Sequence, residues 1–225
     1  MSNNSYLVNC TLKTANSAEV QAEGAQFKVL STGANKIPVP WFFCFEEEDL
    51  VDVHDEMENS AGEKVIFTYK APVTEVEKAI QNLKNSKALM IAFCKNEALG
   101  LQYWEKAMSD LEGLEYPYLM LDPQEVFYLN DPDEEAKEFI KCFSRDEHAF
   151  KSIELLTFYQ ADALPYELIE FYASKRLSDS ARIKNSVSMD MGINSVDTSS
   201  WVEPQSDAPE VKIAQQARRP WWKFW

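Results

Sequence analysis

The stretch "EKVIFTYKAPVTEVEKAIQNLKN", Glu63 to Asn85, decides the fold class. Its first ten residues concentrate β-branched and aromatic side chains and end at Pro72, which is how a strand with a sharp stop reads. Thr74 is then placed as the N-cap of a helix, and Glu77, three residues on, completes a capping box. A strand feeding a helix within two dozen residues predicts an α+β chain.

Reading outward toward the C-terminus, "KALMIAFC" at 87–94 is a buried strand or a continuation of the helix, since a short apolar run fits either. The next segment, through residue 114, is helical, with Leu101, Trp104, Met108 and Leu111 on one stripe. "YPYLMLDPQEVFYLN" reads as a strand that ends at Asp122-Pro123, with Asp122 accepting backbone N–H groups in the turn, Glu125 facing the same turn and Phe127 returning to the core. A turn of this kind is structural before it is a binding site. Asp131 or Asp133 opens an acidic helix reaching Phe143, residues 146–160 form another, and Pro165 starts a last helix ending near Leu177.

Toward the N-terminus, Leu50, Val53 and Met57 in "EEEDLVDVHDEME" (46–58) fall at i, i+3 and i+7. That spacing predicts a short amphipathic helix whose first turn is rich in carboxylates, as the helix dipole favours. The run at 41–45, after Pro38 and Pro40, is a buried strand or a helix start. Residues 13–26 are a loop or weak helix, and 6–12, "YLVNCTL", a first strand. The expected organisation is one compact α+β domain over 3–180 with a small mixed or antiparallel sheet and several packed helices. A disordered linker over 181–217 and a terminal motif at 218–225 follow it.

Composition narrows the function classes. The 225 residues are 45% hydrophobic, enough for one sizeable core, and six glycines are few for a nucleotide-binding or barrel fold. A net charge of −15 disfavours nucleic acid and anionic membrane, and leaves solubility or a cationic protein partner as its meaning. The cysteines, Cys10, Cys44, Cys94 and Cys142, form no CxxC pair, and three lie in apolar runs, so they read as buried thiols and poor nucleophiles. The only two histidines, His54 and His148, lack the spacing of a Cys/His zinc site, and no metal or cofactor is expected. The N-terminus lacks the pattern of a secretion signal and no run spans a membrane, so a reduced, cytoplasmic setting is expected.

His54, between Val53 and Asp55, invites a general-base reading, but neighbours in sequence on a helix do not converge, and a surface histidine is the simpler account; His148 is alike. No GxSxG, P-loop or GxGxxG occurs. No catalytic residue is assigned.

The "NNSYL" start, "KALMIAFCKNEALGLQYWEKAMSDL" and "YLMLDPQEVF", in this order, resemble an uncharacterised bacterial family with immunity-protein-like members from toxin loci. Asn4 stands where that family has arginine. Over residues 3–177 the resemblance implies a small cytoplasmic α+β protein that neutralises a partner and needs no cofactor.

The expected function is therefore non-enzymatic: an acidic binding protein of the immunity type that neutralises a basic toxin domain by contact. Asp49, Asp52, Glu56, Asp133, Glu134 and Glu138 are its candidate partner-binding residues. The alternatives are a hydrolase of unrecognised type and a membrane-recruited adaptor. The terminal "RRPWWKFW" opposes the body in sign, and Arg218, Arg219, Trp221, Trp222 and Trp225 are its candidate anchors. It reads as a protein-docking anchor separable from the main binding surface, with weak membrane contact or folding back on the body as the other two possibilities.

Overall fold

A computed structural model describes residues 3–58 and 62–157. In chain order the elements are β1 (Asn4–Cys10), α1 (Ser17–Ala22), β2 (Phe27–Ala34), α2 (Val39–Phe42), β3 (Leu50–Glu58), β4 (Lys64–Glu75), α3 (Val76–Asn85), α4 (Lys87–Cys94), α5 (Glu97–Leu111), β5 (Tyr118–Asp122), α6 (Gln124–Phe127), α7 (Pro132–Lys141) and α8 (Ala149–Thr157). The strands form one antiparallel sheet in the order β2-β1-β5-β4-β3. The α+β expectation holds, and the sheet is the antiparallel of the two kinds expected. The helix from Pro165, the boundary at 180, the linker and the terminal motif all lie outside the described residues.

The middle of the sheet is held by a buried amide. Asn9 is fully buried, and its Nδ2 donates to the carbonyls of Tyr116 and Tyr118, both at 2.8 Å, while its Oδ1 accepts from the Tyr116 N–H at 2.9 Å. A buried amide costs nothing extra once its bonds are made, and here they can be made in one register only. That register sets Tyr6 opposite Asp122, Leu7 opposite Leu121 and Val8 opposite Met120. Alternation then sends Tyr6, Val8, Met120 and Asp122 to one face and Leu7, Leu119 and Leu121 to the other.

Three expectations are corrected. Residues 46–58 are not a helix: Glu47–Asp49 make a single 3₁₀ turn and Leu50–Glu58 is β3, paired along its whole length with Lys64–Pro72. As a helix, Glu48, Asp52 and Glu56 would repel one another at i, i+4. As a strand, Asp52 stands opposite Lys70 and Glu56 reaches Lys64. Pro72 does not end β4. It forms the last pair with β3, at Leu50, and from Val73 the same strand pairs with β5. The proline thus occupies the change of partner, where its missing N–H is not needed. Thr74 accordingly caps nothing: it lies in β4, buried, opposite Leu119, and α3 starts at Val76, whose N–H is taken by the Pro117 carbonyl at 2.9 Å.

The ambiguous runs resolve as helices. Residues 87–94 are α4, and 39–42 form the single turn α2, which buries Trp41 and Phe42. In α5 the buried stripe is Leu99, Tyr103, Ala107 and Leu111, so the expected stripe is displaced by a fraction of a turn. Trp104 sits at its margin, half-buried, donating from Nε1 to the Leu83 carbonyl at 3.0 Å beneath the Lys87 ammonium. Aromatic rings carry the core between elements: Phe67 and Tyr69 of β4 both meet Phe127 of α6, which meets Phe139 of α7, which meets Phe42 of α2.

Gly100 allows a close helix approach. A Cβ there would stand 2.6 Å from the Ile91 Cα, so α4 and α5 meet backbone to backbone with no room for a methyl group. Gly100→Ala is expected to lower unfolding stability by about 1–3 kcal/mol through overpacking, read from urea denaturation; unchanged stability would show that the two helices part freely.

Candidate functional site

A cavity of about 370 Å³ opens on the sheet face that carries Tyr6, Val8, Met120 and Asp122. Helix α1 roofs it with Ser17, Ala18, Val20 and Gln21, β2 contributes Phe27 and Val29 at the rim, and Asp55 of β3 and Gln124 and Glu125 of α6 close it. Local sequence explains the roof. Asn16 caps α1, accepting from the Ala18 N–H at 2.8 Å, and its Nδ2 donates to the His54 carbonyl at 3.2 Å, so the cap also fastens α1 to β3.

Asp122 lies at the centre. Its Oδ2 accepts the Ser17 hydroxyl and its Oδ1 the Gln124 N–H at 3.1 Å, the Asx turn expected from Asp-Pro. Glu125 accepts the Asn4 N–H at 2.8 Å and the Tyr6 hydroxyl at 3.4 Å. Asp55 accepts the Glu56 N–H at 2.8 Å. Every one of these bonds comes from a neutral donor, and among the described residues lining the cavity none is basic. Burial pushes the Asp122 carboxyl above the usual Asp range; Asp55 and Glu125 add to this, while the Ser17 hydroxyl and Gln124 N–H oppose it. Burial, with Asp122 and Asp55 behind it, also raises the Tyr69 phenol. The arrangement can accept hydrogen bonds from a cationic or donor-rich group, and it can hold a proton on Asp122.

The acids singled out in the sequence have a different character. Asp49 is not a surface residue: it is 6% exposed and bonded to the Lys78 ammonium at 2.8 Å and the Glu46 N–H at 2.8 Å, stapling the 3₁₀ turn to α3. Asp52 and Glu56 point outward from β3, 3.9 Å from Lys70 and 2.9 Å from Lys64. On α7, Glu134 pairs with Lys137 at 2.7 Å, and Glu138 pairs with Lys141 while accepting the Ser152 hydroxyl of α8 at 2.8 Å. Asp133 is exposed in the first turn, after the N-cap Asp131. Helix α7 packs against β4, while Asp52 and Glu56 alternate away from Phe67 and Tyr69, the side of the hairpin that meets Phe127. Five of the six stay at the surface or its margin, and four of those five face a lysine. Arg218, Arg219, Trp221, Trp222 and Trp225 lie outside the described residues.

His54 is exposed and bonded through Nδ1 to the Thr68 hydroxyl at 2.9 Å, and neither it nor His148 lines the cavity. All four cysteines are buried, and burial raises the Cys44 thiol to about 12, so it is inert as a nucleophile. Among the described residues no group of His, Cys, Asp and Glu is arranged to hold a metal ion, and no helix is long and apolar enough to cross a membrane. A second, more open depression beside Glu46, Glu48 and Arg145 is balanced internally, since Arg145 lies 3.8 Å from Glu46 and Lys78 pairs with Glu48.

Sequence reading reached Asp122 and Glu125 as a turn but missed Tyr6, Ser17, Phe27, Val29 and Asp55 as their neighbours. Alternation along 50–58 was the available signal: once that segment is a strand, Val53 and Asp55 share the inward face.

Since an unfolded Asp titrates at ~3.9 and the folded Asp122 higher, the folded chain keeps that proton longer. Asp122 therefore withdraws stability as pH rises from the unfolded value through the folded one, and no further above it. Asp122→Asn is expected to flatten the fall in urea-measured stability over that window; an identical pH profile in the variant would show that Asp122 is not the group responsible.

The stretches "NNSYL" and "LDPQEVF" meet here, through Asn4, Tyr6, Asp122 and Glu125. No family model, no curated protein and no solved structure matches the chain.

Proposed function

We propose that this chain is a protein-binding module of the immunity type, which neutralises a basic toxin domain by covering it and needs no cofactor. The observation that carries the reading is the outer edge of the sheet. Among the described residues β3 has a strand neighbour on one side only. Its outward face presents Asp52, His54 and Glu56, while Val51, Val65 and Ile66 stand exposed on the same hairpin, Ile66 at 64%. Natural edge strands are usually blunted, and an edge that keeps large apolar side chains among acids is suited to a partner's strand or loop.

Charge supports the same reading. The net −15 steers a cationic partner toward the molecule. Lys64, Lys70 and Lys137 form exposed surface pairs that contribute little to stability, so an arginine of the partner can displace them at little cost and form bidentate bonds with the freed carboxylates. Asp133 and Glu134 add a second acidic face on α7; Asp49, being buried, supports the turn instead. The hydrolase alternative would have to use Ser17 and Asp122 in the cavity rather than His54, and nothing there activates the serine beyond its bond to a carboxylate.

A gene for a basic toxic domain is expected beside that of this chain, and co-expression of the two is expected to restore growth. The variant Asp52→Lys/Glu56→Lys/Glu134→Lys, checked for native circular dichroism, is expected to associate about tenfold more slowly, and added salt should slow the parent similarly. Absence of rescue, or an association rate indifferent to both changes, would overturn the reading.

A further inference from the structure

We propose that the sheet-face cavity is the docking groove for this chain's own last eight residues, with a tryptophan inserted against its apolar wall and the arginines on its carboxylates. This goes beyond the partner surface, which lies on the β3–β4 hairpin and α7.

The first argument is charge. On β3 and α7 several acids face lysines: Asp52 with Lys70, Glu56 with Lys64, Glu134 with Lys137. In the cavity Asp55, Asp122 and Glu125 accept from neutral donors, and among the described residues that line it none is basic. Low-dielectric walls focus the potential of such a group and reward a cation brought to it. The segment "RRPWWKFW" supplies Arg218, Arg219 and Lys223 with no acid among them.

The second argument is apolar surface. Phe27 and Val29 are 46% and 44% exposed at the cavity rim, on β2, the other outer strand of the sheet. With Val8 and Met120 beneath them they offer a wall for an indole, and Phe27 a ring face for a guanidinium. A space of about 370 Å³ is at the small end for a ligand site, with room for roughly one or two large side chains. The octapeptide would therefore lie across the groove with one anchor inserted. Docked there, it also covers an edge strand that would otherwise present apolar side chains to other molecules.

The third argument is reach. The described chain ends at Thr157, whose hydroxyl donates to the Ile37 carbonyl at 2.7 Å. Roughly 60 residues separate it from Arg218, and at up to ~3.3 Å each they can cross the domain even if much of their length is folded. Tethering of this kind gives an effective concentration on the order of a millimolar, so an intrinsic affinity of only ~100 μM keeps the segment docked about nine-tenths of the time.

The test uses the full chain with the photo-crosslinking residue p-benzoylphenylalanine at position 222, irradiated below micromolar concentration. Intrachain products joining residue 222 to peptides containing Phe27, Val29 or Met120 are expected. Two further full-length chains carry the same probe: Phe27→Glu/Val29→Glu, altered at exposed positions, and Arg218→Glu/Arg219→Glu, altered outside the described domain. Each is expected to lose those products about tenfold while keeping the parent's circular dichroism. Products mapping elsewhere on the domain would overturn the proposal. So would products that join two chains only, a yield unchanged in both variants, or no intrachain product at all, which would leave the cavity to a basic segment of a partner.

Discussion

The Asn9 side chain decides where everything else stands. Its three bonds to the backbone at Tyr116 and Tyr118 are available in one alignment of β1 with β5, and these are the strands at the centre of the sheet. A slip of one residue would exchange the two faces of β1, putting Leu7 where Tyr6 belongs. It would also leave a buried amide unsatisfied, at a cost of about 1–3 kcal/mol. The cavity exists because this alignment sets Tyr6 and Asp122 side by side. The proposed docking groove inherits its geometry from one amide in the interior.

The hairpin of β3 and β4 has a narrower attachment. Only Val73, Thr74 and Glu75 join it to β5, so its position is fixed largely by side chains. Phe67 and Tyr69 stack at 5.2 Å and press on Phe127, which is held in turn by Phe139. Edge-to-face rings of this kind resist sliding better than aliphatic contacts do. On the proposed function, an edge mounted on such a chain of rings is held against the helical layer, and a partner would meet a surface that is already ordered.

Local signals were legible in the sequence where one physical effect dominated. The strand at 64–71, the Asp-Pro stop at Asp122 and the Asp131 cap of α7 could each be read from neighbouring residues. The reading failed where the deciding partner was remote. Nothing in "EEEDLVDVHDEME" says that Lys64 and Lys70 will neutralise its acids across a hairpin, and helical spacing therefore looked satisfied. Nothing near Pro72 says that the strand changes neighbours there. The cavity was the least legible part, because its residues come from β1, α1, β2, β3, β5 and α6 and converge only through tertiary pairing. The surface acids were visible as a class, but burial separates Asp49 from the others, and burial is a property of the whole fold.

Pro72 has one more consequence. It is the only residue in the β4 ladders without an N–H to give, and it sits at the joint between them. Sliding β4 one step along either neighbour would carry that gap into the body of a ladder and strand a carbonyl without its donor. The proline therefore acts as an index mark: the two halves of the strand can be in phase with both neighbours at once in a single setting. Hairpins that zip incorrectly, or that borrow a strand from a second copy, meet this mismatch early, which biases the sheet toward its native pairing and against exchange between molecules.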